Sequence, residues 1–523
     1  MKPVENLAAA AERLAEADGI HDAVPEHAFY LTVGIADVLA AAERTPAREG
    51  AFRMNRGRRP TALAFVCVFL IILSGSLSNG QQPPLLDLRF ARDYRPGTRD
   101  RNGHGLGGTE IMSLAAHKGM LWAAVGAVSS WSAPPFRPVP PGSQILVKRT
   151  ASGAWEVDLD LGLDYLRAAS MAAIRFTTDR HARKLLEPVP VLLVGAGART
   201  FRPRAAEVWS RNDATGRWSR MTITDNIRSV TGRVDPEVRV LFDHVDRVTG
   251  VHHVFAGIAN GAIYRGAYDA SVAGQIAWEE KPDFDGRIRR PMAAAEADGA
   301  LYLTVDPEPS QPGNGGLFRR VDGPRPRWDW IYEWAWSSPN PDMPMWTGMR
   351  GLTPIRDPRD GHDVLLGARE QPGVIERIDL SRNHAVTLEL DVRNYFAKIW
   401  YGGQLYRDVT LIAYNDMTAA VHPKTGEPIH LIGLWVLHPE RQSELGASSW
   451  YLVRYRDGSY AHGRVFDPGD STMRARGGLR GTRAIVVSPF AEDRARVFYF
   501  GGFDAYGGPH QDTAWIYRTA APE

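Results

Sequence analysis

The chain has 523 residues, of which 44% are hydrophobic, so a large core can be buried, and 62 basic against 60 acidic side chains leave a formal net charge of +2. That balance gives no global field for nucleic acid or an anionic membrane, and both are excluded as partners of the bulk of the chain. Fifty-one glycines and 36 prolines exclude a long-helix protein, and the single cysteine, Cys67, lies in an apolar run, which excludes disulfides and thiolate chemistry elsewhere.

Residues 1–53 form a helix-prone extension, with alanine-rich stretches at 6–16 and 35–44. Residues 54–80 have the layout of a secretory signal. Met54-Asn-Arg-Gly-Arg-Arg59 is basic, Thr61 to Leu73 is apolar, and Ser74 to Gly80 supplies small residues for cleavage after Ser78. Its internal position has two explanations. Either translation starts at Met54 and residues 1–53 belong to an over-extended reading frame, or the segment 60–77 is an uncleaved anchor with its arginines inside. The first predicts an exported, periplasmic or extracellular protein, and the second a membrane-anchored one.

From residue 85 to 523 one pattern recurs at intervals of roughly 50–65 residues, a length near that of propeller repeats. Each unit has an apolar strand, a turn, a second apolar strand ending in or near glycine, a long loop, a third strand and a fourth. The units run from Ile111 to Asp158, Ala168 to Met221, Val238 to Glu280, Met292 to Ile331, Leu352 to Glu389 and Met417 to Phe466. The last, Gly481 to Arg518, has three strands only. The segment 85–90 (Leu85-Leu-Asp-Leu-Arg-Phe90) is expected to supply the missing outer strand, since an open sheet edge invites aggregation. The pattern predicts an all-β fold, a seven-bladed β-propeller of four-stranded antiparallel blades, with the count good to one blade.

Two features support the register. A basic residue closes or follows the third strand (Lys148, Arg211, Arg265, Arg319, Arg377, Arg454, Arg518), and tryptophan opens several fourth strands (Trp155, Trp218, Trp278, Trp328). Both read as rim cations and inter-blade packing. The turns at Ser152-Gly-Ala-Trp155 and Ser210 to Trp218 resemble degenerate Asp-boxes of sialidase-like propellers. From residue 85 onward the chain resembles secreted bacterial seven-bladed propellers of sialidase-like or kelch-like architecture, a group that implies a fold and no single reaction.

Aligned on their first turns, the units place Glu110, Arg167, Arg239, Arg290, Arg350, Asp416 and Arg483 at the start of each innermost strand. Five arginines and two acids converging at the mouth of a channel would form an electropositive funnel suited to carboxylate, sulfate or phosphate groups. A ring of inter-blade salt bridges is the competing reading, and two acids cannot neutralise five arginines. Long loops expected on the same face carry Trp131, Phe136, Arg137, His438 and the run Phe503 to Asp512. Aromatics beside arginines suit sugars bearing acidic groups, so an acidic polysaccharide or oligosaccharide is the expected ligand.

In a lyase, His510 would act as base, Tyr506 as acid and Arg483 as the partner of a uronate carboxylate. In a glycoside hydrolase, Glu110 and Asp416 would be the carboxylates. Asp504, His510 and Asp512 are candidate ligands for a divalent cation as cofactor. The alternative is a non-catalytic propeller that binds a glycan or a protein. His252 and His253 are adjacent on a strand and point to opposite faces, so they cannot share one ion. Gly103-His-Gly-Leu-Gly-Gly108 lacks the strand and helix of a nucleotide-binding turn and is expected to pass near the channel, with His104 close to Glu110.

Overall fold

The computed structural model describes residues 86, 88–126, 141–198, 205–225, 236–259, 261–285, 289–307, 315–334, 348–357, 361–370, 373–401, 410–412, 417–436, 449–470, 479, 481–503 and 513–520. The fold is all-β. After β1 (Phe90–Tyr94), the first antiparallel four comprises β2 (Glu110–His117), β3 (Met120–Gly126), β4 (Ser143–Lys148) and β5 (Trp155–Gly162). The second is β6 (Tyr165–Thr178), β7 (Lys184–Ala198), β8 (Ala206–Asn212) and β9 (Arg217–Thr224). The third is β10 (Val238–Val245), β11 (His252–Ile258), β12 (Ala262–Tyr268) and β13 (Ile276–Trp278), with β14 (Phe284–Asp285) also on β12.

Next come β15 (Arg289–Ala297), β16 (Ala300–Pro307), β17 (Gly315–Val321) and β18 (Arg327–Trp334). They are followed by β19 (Met349–Arg356), β20 (Asp363–Arg369), β21 (Val374–Asp379) and β22 (Ala385–Asp391). A helix, α1 (Val392–Tyr401), and a short strand, β23 (Thr410–Ile412), precede β24 (Thr418–Val421), β25 (Pro428–Val436), β26 (Ser449–Tyr455) and β27 (Tyr460–Arg464). The last strands are β28 (Gly481–Val487), β29 (Phe498–Phe503) and β30 (Ala514–Thr519), and β1 lies antiparallel on β30. No helix among the described residues is long and apolar enough to cross a membrane, and residues 1–80 lie outside them.

The second strand of each four carries a buried, mainly apolar run, which places the cores between sheets rather than under a single layer. The glycines near its end have a packing cause. A Cβ on Gly195 would lie 2.7 Å from Val238 of the next four, on Gly257 2.8 Å from Pro291, on Gly433 2.7 Å from the Thr482 carbonyl, and on Gly501 2.8 Å from Ile111. Where β16 has Thr304 instead, its hydroxyl donates to the Met349 carbonyl at 2.8 Å. At these five places a first strand rests on the second strand of its predecessor, and a missing side chain or a bridging hydroxyl permits that approach.

A second repeating contact ties the outer edges. Asp158 on β5 accepts from Arg211 Nε at 2.8 Å and from Trp218 Nε1 at 2.7 Å, so one carboxylate holds a third-strand cation and a fourth-strand indole of the next four. Asp93 on β1 holds Lys148 at 2.5 Å and Trp155 at 2.7 Å in the same way. Asp283 holds Arg320 at 3.2 Å and Trp328 at 2.8 Å, and Glu389 on β22 holds Arg454 at 2.5 Å and Tyr460 at 2.9 Å. In each case cation and aromatic stand directly across from one another: Lys148 and Trp155, Arg211 and Trp218, Arg320 and Trp328, Arg454 and Tyr460. Between β12 and β13 the register puts Gly266 opposite Trp278, and the buried Trp278 Nε1 has no hydrogen-bond partner.

Three expectations shift. The strand laid on β30 is Phe90–Tyr94 rather than residues 85–90, because Leu86 and Phe90 are drawn into the core around Tyr451 while Arg92 pairs with Asp470 at 3.2 Å. The closing cation of β17 is the buried Arg320, not the exposed Arg319. Helix α1 was not expected. Its start is marked by Asp391, whose Oδ1 accepts from Asn394 N at 2.9 Å, and Val392 and Phe396, four apart, bury one face.

Candidate functional site

Six of the first strands carry a one-residue bulge near the start. The register skips Met112 on β2, Ala169 on β6, Arg239 on β10, Met292 on β15, Arg350 on β19 and Arg483 on β28. A bulge re-aims the side chain of its extra residue. Those six residues, with Pro291, line a single cavity of about 20 Å³. Residues more than 350 positions apart are thereby brought to one point.

Two residues before each bulge stand Glu110, Arg167, Glu237, Arg290, Gly348 and Gly481. The expected single ring is thus two tiers. Arg239, Arg350 and Arg483 belong to the cavity, while Glu110, Arg167 and Arg290 lie a step along the strands. Alignment on the turns mixes the tiers because the strands differ in length beyond the bulge: β2 ends at His117, whereas β6 runs on to Thr178.

Ion pairs knit the tiers together. Glu110 is buried between Arg167 and Arg483, with nitrogens at 3.6 and 3.1 Å. Glu237, equally buried, takes Arg167 Nε at 2.9 Å and Arg239 at 3.3 Å. Burial pushes the Glu237 carboxyl up, but Arg167, Arg239 and Arg290 outweigh it and hold the group below the usual carboxylate range. Arg350 pairs with Glu370 at 2.6 Å, both nearly fully buried. Asp306, fully buried, stands opposite Arg290 in the β15–β16 register, and Arg483 also lies over the Phe503 ring, 5.7 Å from its centroid.

The two-acid count therefore overstated the surplus of positive charge. Glu237, Asp306 and Glu370 were missed, although position gives the first away, since Glu237 precedes its bulge by the same two residues as Glu110. Asp416, Trp131, His438, Tyr506, His510, Asp504 and Asp512 lie outside the described residues. Among the described residues no group of three or more His, Cys, Asp or Glu could hold a metal ion.

The remaining histidine expectations resolve locally. His104 is not bonded to Glu110; its ring meets Asp100 at 3.1 Å, and Asp100 also accepts from the His104 and Asn102 amides within a tight loop. His252 Nε2 meets Asp243 at 2.8 Å, while its Nδ1 accepts from Thr177 N at 3.1 Å, pinning the β6–β7 hairpin to β11. The buried His253 takes no part in that contact and its Nδ1 has no partner.

The second strands end beside these bulges, as the pairs Glu110–Gly126, Tyr165–Ala198, Val238–Ile258, Met349–Arg369 and Gly481–Phe503 show. The connections from second to third strands thus leave from the end of the sheets that holds the cavity.

No protein-family model matches the chain, and no curated protein matches it. Among solved structures it is similar to a GH74 enzyme of Niastella koreensis, with a TM-score of 0.44 and 11% identity over 80% of this chain and 55% of that one. The chain thus spans about half the length of that enzyme. It is also similar to an alpha-L-arabinanase of Penicillium chrysogenum complexed with arabinobiose, with a TM-score of 0.37 and 10% identity over 82% of this chain and 97% of that one.

Proposed function

We propose that the sheets fan around one axis as a seven-bladed β-propeller, closed by β1 against β30, and that its cavity end binds the anionic group of an acidic oligosaccharide or polysaccharide. The observation that carries the reading is the convergence of Arg239, Arg350 and Arg483, each on a bulge of a different first strand, on one cavity. The succession of glycine contacts from one four to the next, ending with Gly501 on Ile111 of β2, supports the radial arrangement. Guanidinium groups on a rigid frame suit a carboxylate, and the loops leaving at that end carry, in sequence, Trp131, His438, Tyr506 and His510. Aromatic faces beside cations fit a sugar ring bearing a uronate.

The reading is tested by calorimetric titration of the mature chain with oligomers of uronic acids and with neutral oligomers of equal length. Saturable binding of the acidic set alone is expected, and it weakens at least tenfold in Arg239→Gln and is unchanged in Arg327→Gln, an exposed pair on the outer strand β18. Equal binding of neutral oligomers, or none of either, overturns it. Following ultraviolet absorbance in the same mixtures separates binding from lyase cleavage, which creates an unsaturated product. Export directed by residues 54–80 is part of this proposal, and an N-terminus mapped after Ser78 in the secreted protein is its check.

A further inference from the structure

We infer that the cavity framed by the bulges accepts one monovalent anion of halide or carboxylate-head size and rejects dianions. The inference rests on the axial anion site proposed above and narrows what that site takes.

Size comes first. At about 20 Å³ the cavity has room for a water-sized body. A chloride ion or the two oxygens of a carboxylate head can enter.

Charge sets the limit on valence. Each lining arginine is held by a buried carboxylate: Arg239 by Glu237 at 3.3 Å, Arg350 by Glu370 at 2.6 Å and Arg483 by Glu110 at 3.1 Å. Those acids stay in place when a ligand enters, so much of the local positive field is already offset. One negative charge can still be stabilised by donors from three guanidinium planes. Counting both tiers among the described residues, Arg167, Arg239, Arg290, Arg350 and Arg483 stand against Glu110, Glu237, Asp306 and Glu370, a surplus of one positive charge. A second negative charge would be stripped of water without a matching cation among them.

The rest of the wall selects among monoanions. Met112, Ala169, Pro291 and Met292 offer no strong hydrogen-bond donors, and thioethers are polarisable. Guanidinium groups are themselves weakly hydrated. An anion that gives up its water easily, such as chloride, bromide or formate, is favoured over tightly hydrated fluoride.

The test uses the mature chain, exchanged into fluoride, the tightly hydrated monoanion that the wall disfavours. Chloride, formate and sulfate are titrated at constant ionic strength, with the chloride-35 linewidth and the thermal midpoint as readouts. Saturable chloride broadening that formate displaces is expected, with a rising midpoint for both ions and no saturable effect of sulfate. Arg239→Gln is expected to weaken chloride at least tenfold. Met292→Phe fills the cavity without removing charge, so it is expected to abolish the saturable component even if Arg239→Gln folds poorly. Sulfate acting as strongly as chloride, absence of any saturable chloride or formate effect, or survival of that effect in both variants overturns the inference.

The two readings fail separately. Chloride and formate binding without uronate binding leaves this inference standing and removes the glycan. Uronate binding that is indifferent to chloride, formate and Met292→Phe leaves the glycan and removes this inference.

Discussion

Asp158 is the sharpest place to probe how the sheets are joined. Its carboxylate, with 9% of the side chain exposed, accepts from Arg211 Nε at 2.8 Å and Nη2 at 3.3 Å and from Trp218 Nε1 at 2.7 Å. Removing one partner of a buried ion pair costs about 3–5 kcal/mol, because the other charge stays buried without it. Arg211 keeps Asp213 at 2.8 Å, so Asp158→Ala is expected to cost about 3 kcal/mol, the low end of that range. Asp158→Asn still accepts from the indole and is expected to cost about 2 kcal/mol. Trp218→Phe removes only the indole hydrogen bond and is expected to cost about 1 kcal/mol. The exposed pair Arg327–Asp329, with 69% and 43% of the side chains exposed, provides the control, and Arg327→Ala is expected to change stability by about 0–1 kcal/mol. Urea unfolding followed by tryptophan fluorescence and far-ultraviolet circular dichroism measures all four. If Asp158→Ala shifts the midpoint no further than Arg327→Ala, the shared carboxylate is not what holds neighbouring sheets, and the same argument falls for Asp93, Asp283 and Glu389.

Burial, reinforced by Arg265 and Arg320, pulls the His253 imidazole down to about 4, so the folded state disfavours its charged form. The contribution of neutral His253 is complete above about pH 6.5 and is lost as pH falls towards 4, on the order of 3 kcal/mol in all. His430 titrates in the same sense, with burial the main cause and Arg454 adding to it. Urea midpoints at pH 7, 5.5 and 4.5 should therefore fall in order, and less steeply in His253→Phe; a flat profile in the parent refutes the assignment. Gly195→Ala forces a Cβ to 2.7 Å from Val238, and its expected cost is about 1–3 kcal/mol by overpacking, read from the same urea curves. Asp246, fully buried, accepts from the Val248, Thr249 and Gly323 amides and from Arg320. Asp246→Ala strands those donors and is expected to be the most damaging of the set, at about 3–5 kcal/mol, with loss of soluble expression as the alternative outcome.

The strand succession was legible because its signals are local. Apolar runs, glycines near the end of second strands and an indole after a turn each have one physical cause, and the contacts at Gly195, Gly257 and Trp218 supply it. The tiers were not legible. A bulge slips the alternation by one residue, but strands with apolar residues on both faces, such as β2 and β6, hide the slip, so Arg239 and Arg290 looked equivalent while only the first is skipped by its partner strand. The carboxylates were hidden for another reason. Glu370 follows a second strand and Glu237 precedes a first, and only folding sets them beside Arg350 and Arg167. Helix α1 left a usable trace in Asp391 followed by Val392 and Phe396, a spacing of four that strand periodicity does not register.

The cavity and the packing of the sheets draw on the same few residues. Val238, which with Ser170 crowds Gly195, is the residue just before the bulge that aims Arg239, and Pro291, which with Val240 crowds Gly257, precedes the bulge at Met292. Moving a first strand by a fraction of an ångström against its predecessor would therefore also move the side chain it delivers to the cavity. A cavity built this way is fixed before any ligand arrives, so little ordering cost falls on binding. It follows that lesions at the glycine contacts, remote in sequence from every arginine of the tier, should weaken anion binding as well as stability. In Gly195→Ala the loss should fall on chloride affinity and on the urea midpoint together. A variant that is less stable yet binds with parent affinity would separate the two and break this link.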